Sequence, residues 1–336
     1  MRKAVVGTLK VAVPIALGIG LVLHFYRQLD EAQRAALFDA FGRASVPWLL
    51  WSNLLGWLSH VSRAWRWRYL LRHMGHAPGF WSCYHAVMGG YFMNMLLPRA
   101  GEASRAAMLY RSEGVPFEKG FGTILAERAV DMVMLLGIAG LTLLLQADKL
   151  DLFRQRIATF RAQQGPAAEE GGTGWWLLAL LGAAALAATY LLLQRPAARA
   201  RLRDAVRGFA EGMRSILRTP DKGPFLFHTV LIWVLYVAMF AVGFLALPET
   251  RTVPAAGVMA GFIAGSVGIV LVQGGIGAYP AFVALIVSVY MTGGDGTLIR
   301  PEALAMGWLL WVAQTLMIIS LGGLSLLLAA RKRSSP

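Results

Sequence analysis

Long uninterrupted runs of apolar residues alternate along this chain with short polar stretches, and the polar stretches carry most of the meaning. The runs at 4–26, 46–61, 121–146, 175–193, 225–247 and 303–330 approach or exceed the roughly 20 apolar residues that a bilayer-crossing helix needs. Two further regions are apolar but interrupted. The stretch 82–97 would extend only about 24 Å at the helical rise before Pro98 and a group of charged residues stop it. The halves 255–272 and 276–291 are split by Gln273, Gly274 and Gly275, with Gly277 following. Non-helical backbone at membrane depth is tolerated only where protein or water covers it. The pattern therefore predicts an all-α polytopic membrane protein, with about six full transmembrane helices and two broken or re-entrant helix pairs. A single integral membrane domain over 1–336 is expected, with one broken element at about 82–112 and the other at about 255–291.

The placement of basic residues orients this layout. Arg2, Lys3 and Lys10 flank the first run, and His24, Phe25, Tyr26 and Arg27 follow it in place of a small-residue cleavage site, so it reads as a retained helix. Arg63, Arg66, Arg68 and Arg72, interleaved with Trp65, Trp67 and Tyr69, read as a cytoplasmic interfacial belt that closes the second span. The segment 148–174 reads as an external loop. From Arg195 to Arg218 the chain is densely basic. Between those arginines Leu202, Val206, Phe209, Met213 and Ile216 recur at spacings of three and four, which predicts a basic amphipathic helix at about 197–219 on the cytoplasmic membrane surface. If both broken pairs re-enter, every basic block falls on the cytoplasmic side. The expectation is a multi-pass protein of the cell inner membrane with both termini in the cytoplasm. One broken pair would then enter from each face, an inverted pseudo-repeat in geometry without a repeat in sequence, and such pairs point to a transporter site near the midplane.

Composition narrows the function classes. Hydrophobic residues make up 57% of the chain and charged residues 15%. The net charge of +14 would suggest nucleic acid in a soluble protein, but here the basic residues flank apolar runs, as expected beside anionic lipid, so no nucleic-acid partner is expected. Cys83 is the sole cysteine, which excludes an intrachain disulfide or a cysteine-based zinc cage. His73, His76 and His85 lack the spacing of a metal motif, and no nucleophile elbow or nucleotide fingerprint stands out. Neither a metal nor a cofactor is expected.

The strongest constellation is Asn94, Pro98, Arg99, Gly101, Glu102 and Arg105. Ionisable groups at membrane depth are costly unless paired or facing a watery cavity. On helical spacing Glu102 lies three residues from both Arg99 and Arg105 and would bridge them. One reading is a site for an anionic headgroup, with arginine forks on phosphate; the other is an ion network that pins a broken helix. Glu127 and Asp131, four residues apart, share a helix face, with Arg128 between them. They would balance the arginines, relay protons, or lie solvated at the interface. Gly274, Gly275 and Gly277 supply backbone freedom for a break or for close packing.

The run N-x-x-x-P-R-A-G-E-x-x-R from Asn94 to Arg105, the A-E-R-x-x-D run at Ala126, Glu127, Arg128 and Asp131, and Q-G-G-I-G at Gln273 to Gly277 resemble the lysylphosphatidylglycerol synthase transmembrane family, also called the flippase-like domain family. The resemblance covers nearly the whole chain. It implies lipid translocation, since domains of this type flip aminoacylated phosphatidylglycerol or accompany polyprenyl-lipid and hopanoid pathways. It also implies that Asn94, Pro98, Arg99, Gly101, Glu102, Arg105, Glu127, Arg128 and Asp131 match the family's polar core. Aminoacyl transfer is not expected, and Gln273 and Pro280 stand where the family often has proline and glutamate. The expected function is a non-enzymatic, flippase-like lipid transporter for an anionic, aminoacylated or isoprenoid-linked lipid. Its expected partners are an anionic phospholipid or polyprenyl phosphate, with a lipid synthase or glycosyltransferase alongside. In this expectation Arg99 and Arg105 hold the phosphate, oriented by Glu102. A lipid-modifying membrane enzyme and a non-transporting scaffold are the alternatives.

Overall fold

The computed structural model describes residues 29–97, 100–146, 221–291 and 299–331, with single positions between 16 and 27. Among these residues the regular structure is helical. Most of the first run, the loop at 148–174, the span at 175–193, the amphipathic helix at about 197–219, and both Pro98 and Arg99 lie outside the described residues.

Helix α1 (Glu31–Arg43) opens on a capping box, in which Asp30 accepts from the Gln33 amide while the Gln33 side chain accepts from the Asp30 amide. Helix α2 (Val46–His73) is 28 residues long and carries proline in its first turn, where the missing N–H has no partner to lose. It is followed by α3 (Phe80–Leu96), α4 (Ala100–Glu113) and the 28-residue α5 (Phe117–Leu144). After α6 (Lys222–Gly243) come α7 (Ala255–Leu271), α8 (Ala278–Tyr290) and the 31-residue α9 (Pro301–Arg331).

Among the described residues, two helical stretches, Lys222–Ala246 and Pro301–Ala329, are long and apolar enough to cross a membrane. Their outward faces support that reading. Phe227, Val230 and Val234 on α6, and Leu316, Leu324 and Leu327 on α9, are exposed. So much contiguous apolar surface is stable only against lipid or another apolar partner.

The two interrupted regions form two pairs of short helices. In the first, α3 and α4 have 17 and 14 residues, or about 26 and 21 Å, each short of a bilayer core of about 30 Å. They pack on each other and turn at Leu97, whose extended φ of −134° and ψ of 130° suit the residue before Pro98. Helix α3 ends at Leu96 and α4 begins at Ala100, with the break between them. Gly101, expected to be part of it, is instead in the first turn of α4. Its role is close approach: a Cβ there would collide with the Gly90 carbonyl oxygen and the Asn94 amide, so only glycine lets α3 and α4 meet. Asn94 completes the join by accepting the Gly101 amide at 2.7 Å.

In the second pair, α7 and α8 have 17 and 13 residues and pack along their lengths. They join through a 3₁₀ turn at Gln273–Gly275. Gly274, Gly275 and Gly277 have φ of 64°, 69° and 70°, a left-handed conformation that side chains with a Cβ resist. The turn also touches α3, so the second interruption lies against the first pair. Helix α9 packs on α3, α8, α2 and α1, joining the two halves.

One expectation fails. The second span does not close at 61 with an interfacial belt. Helix α2 continues unbroken to His73, and Ser59, His60, Ser62, Arg63, Arg66, Trp67, Leu70 and Leu71 form one buried face at spacings of three and four. Only part of the basic stretch behaves as a belt: Arg68 lies 4.6 Å over the Trp65 ring and Arg72 5.8 Å over that of Tyr69.

Candidate functional site

The buried face of α2 meets the polar face of α5. Glu127 and Asp131 are one turn apart on α5, and both point at α2. Arg63 Nη1 lies 2.6 Å from Asp131 Oδ2, and Arg66 Nη1 lies 2.9 Å from Asp131 Oδ1. Arg66 also reaches Glu127, with Nε 3.2 Å from Oε1, and Thr229 of α6 at 3.3 Å. Arg66 and Glu127 are fully excluded from solvent.

The short pair contributes from the other side. From α4, Arg105 Nη2 lies 2.8 Å from Glu127 Oε2, close enough for an ion pair though not aligned as a hydrogen bond. Its guanidinium sits 3.8 Å over the Trp67 ring. Trp67 is in turn fixed by its indole N–H, which donates to Thr123 Oγ1 at 2.9 Å. Cation, ring and carboxylate thus position one another. At the margin, Arg128 Nε is 3.5 Å from Glu102 Oε1, and Arg128 Nη1 is 3.8 Å from Asp131 Oδ2.

Burying a lone charge is strongly unfavourable, and a carboxylate held by two guanidiniums is one of the few arrangements that tolerates it. The described cluster contains Arg63, Arg66, Arg105 and Arg128 against Glu102, Glu127 and Asp131, one guanidinium more than its carboxylates. Several N–H groups are left without a hydrogen-bond acceptor, including Arg63 Nε, Arg66 Nη2, Arg105 Nε and Arg128 Nε. Donors in excess, buried and preorganised, suit an oxyanion.

The cluster opens on a narrow cleft, whose lining includes Tyr91, Asn94, Glu102, Arg105 and Arg128. Tyr91 carries the polar network inward: its hydroxyl lies 3.5 Å from that of Tyr236, which accepts from Arg63 Nη2 at 3.3 Å. His60 stacks on Tyr91 with ring centroids 4.5 Å apart. Among the described residues, no group of three or more His, Cys, Asp or Glu is arranged to hold a metal.

Of the residues singled out in the sequence, Asn94, Glu102, Arg105, Glu127, Arg128 and Asp131 come together here. One pairing differs from expectation: Glu102 meets Arg128 and not Arg105. Arg105 meets Glu127, which was one of the alternatives for that carboxylate. Glu127 and Asp131 are not solvated at an interface but buried. Gly274, Gly275 and Gly277 belong to the other short pair and do not line the cleft. Arg63, Arg66, Trp67, Tyr91 and Tyr236 were not anticipated. The signal for the first three lay in the three-and-four spacing of Ser59, Arg63, Arg66, Trp67 and Leu70 along one helix face, which a count of basic residues obscures.

These features define an all-helical membrane protein with a charged site buried where a short helix pair meets two long helices. The match to the lysylphosphatidylglycerol synthase TM region extends over residues 11–323, and the chain belongs to that family. It is also 31% identical over 74 residues to the UPF0104 membrane protein MJ1595 of Methanocaldococcus jannaschii, a match covering 21% of this chain and 22% of that protein. No solved structure matches significantly.

Proposed function

We propose that the protein is a flippase-like lipid transporter that moves an anionic, aminoacylated or isoprenoid-linked lipid between the leaflets of the inner membrane. The observation that carries this reading is the buried cluster, with its excess of guanidinium donors, opening on a cleft at a break between two short helices. A structural ion network alone needs no surplus of unpaired donors and no opening, and each unpaired buried donor costs about 1–3 kcal/mol. In this reading Arg105 and Arg128 supply the positive charge that the cleft offers a lipid phosphate, Asn94 and Glu102 shape the headgroup side of the cleft, and Arg63, Arg66, Glu127 and Asp131 hold the positive field in place. Glu127 and Asp131 act as counter-charges. The two short pairs dip from opposite faces, and the glycine turn beside α3 gives access from the second side. The acyl or isoprenoid chains remain in lipid, so the protein lowers the barrier only for the headgroup.

The test is translocation by the purified chain in proteoliposomes, with a panel of fluorescent phospholipids and polyprenyl phosphates scored by chemical quenching of the outer leaflet. Faster transfer of one phosphate-bearing class than in protein-free liposomes supports the reading. Transfer of every lipid at the protein-free rate, by folded protein with and without an imposed proton or sodium gradient, argues against it.

A further inference from the structure

The four guanidiniums of the site are not equally committed. Arg63 and Arg66 each have contacts at 2.6–2.9 Å to Asp131, and Arg105 lies 2.8 Å from Glu127 while covering Trp67. Among the described residues Arg128 has only long ion-pair contacts, 3.5 Å to Glu102 and 3.8 Å to Asp131. Its Nε is buried without a hydrogen-bond acceptor, whereas its side chain as a whole is 40% exposed on the cleft. Glu102, 24% exposed, lines the same cleft. A guanidinium presents a planar fork of donors that a phosphate matches in two places at once. Glu102 approaches that fork without hydrogen-bond alignment, so it neutralises Arg128 in part while leaving its donors unfilled.

Resting on the lipid-transport reading, we propose that Arg128 is the residue that takes the lipid phosphate, and that Glu102 is its exchangeable counter-ion, a carboxylate that competes with the phosphate for the same guanidinium. Arg105, held by Glu127 and Trp67, then supplies fixed positive charge rather than the exchanging contact. In this division of labour the pair with both members on the cleft is the loosest, whereas Arg105 reaches the cleft from a carboxylate, Glu127, that does not line it. It also provides a release step. Return of the Glu102 carboxylate to Arg128 displaces the phosphate, so the headgroup is held without being trapped.

The sign of the prediction is unusual for a binding-site residue, since removing Glu102 should strengthen binding. Binding of dihexanoylphosphatidylglycerol to the full chain in detergent is measured by calorimetry for wild type, Glu102→Gln, Glu102→Ser, Arg128→Lys and Arg128→Gln, with thermal unfolding as the check on folding. Losing a partly exposed competing ion pair should tighten binding on the order of 2- to 5-fold in both Glu102 variants. Arg128→Gln should weaken it at least about 10-fold, with Arg128→Lys between, because a lysine keeps the charge but not the fork. Wild-type binding that is unchanged or weaker in both folded Glu102 variants, or unchanged in Arg128→Gln, overturns the exchange while leaving the transport reading standing. Glycerol 3-phosphate is titrated in parallel. Binding of that ester with no binding of the lipid assigns the site to a soluble phosphate and overturns the transport reading. Binding of neither by wild type removes both.

Discussion

Arg63 and Asp131, 68 residues apart in the chain, meet at 2.6 Å with almost no solvent access to either side chain. This contact ties α2 to α5 at the depth where Arg66 and Glu127 also meet, and it makes two long helices a rigid wall behind the cleft. Neutralising one side of such a pair leaves the other as an uncompensated buried charge, at a cost of about 3–5 kcal/mol. Asp131→Asn should therefore lower the thermal unfolding midpoint substantially. The double variant Arg63→Met with Asp131→Leu should lose less than the sum of the single changes, which a double-mutant cycle by thermal unfolding in detergent measures directly.

Trp67 is expected to act through Arg105. Its ring lies 3.8 Å beneath the guanidinium, and its indole N–H is held by Thr123. Trp67→Phe retains an aromatic face but loses the Thr123 tether. It should fold and should weaken binding of an anionic lipid by a few-fold, in keeping with about 1 kcal/mol of cation–π interaction. Trp67→Leu removes the face altogether and should weaken binding further. Calorimetric titration with a short-chain anionic lipid ranks the three proteins.

Gly101 and Gly122 give a contrasting pair. Gly101→Ala drives a methyl into the Gly90 carbonyl and Asn94, so it should separate α3 from α4, lower stability by several kcal/mol and disturb the cleft, as overpacking of a tight contact does. Gly122, within α5, has nothing within 4 Å of its would-be Cβ. Gly122→Ala should be neutral or stabilising by up to about 1 kcal/mol, through helix propensity alone. Unfolding midpoints of the two variants decide the matter.

At the second break, conformation and space can be separated. Gly274 has a φ of 64° but only the Ile276 side chain near it, at 4.0 Å, so Gly274→Ala should cost only the left-handed strain of about 1–2 kcal/mol. Gly277 has the same backbone requirement, and a Cβ there would strike the Gly18 carbonyl oxygen. Gly277→Ala should be the more damaging, both in unfolding midpoint and in expression of folded protein.

The helical architecture was legible because membrane helices need long apolar runs, and both breaks announced themselves through proline, charge or glycine. Which residues pair across the site was not legible. Glu102 sits three residues from both Arg99 and Arg105, and local spacing favoured a bridge within one helix. In the fold Glu102 instead meets Arg128 on α5, because packing of α4 on α5 brings those faces together. Arg63 and Arg66 were misread for a related reason. Tryptophans and arginines in one stretch look like an interface, and only the three-and-four spacing of that stretch separates an inward face from an outward one. Tyr236 carried no signal, since one tyrosine in an apolar helix gains meaning only when Arg63 and Tyr91 are beside it.

In the proposed reading the guanidiniums facing the cleft carry the phosphate of a lipid across the membrane. The most direct measurement compares initial translocation rates of fluorescent phosphatidylglycerol and phosphatidylcholine in proteoliposomes containing wild type, Arg105→Gln or Arg128→Gln, at equal amounts of folded protein. The account predicts that wild type moves the anionic lipid faster than the zwitterionic one, and that either substitution reduces the anionic rate by at least about 10-fold. Equal rates for the two lipids, or an undiminished anionic rate in both variants, would contradict it.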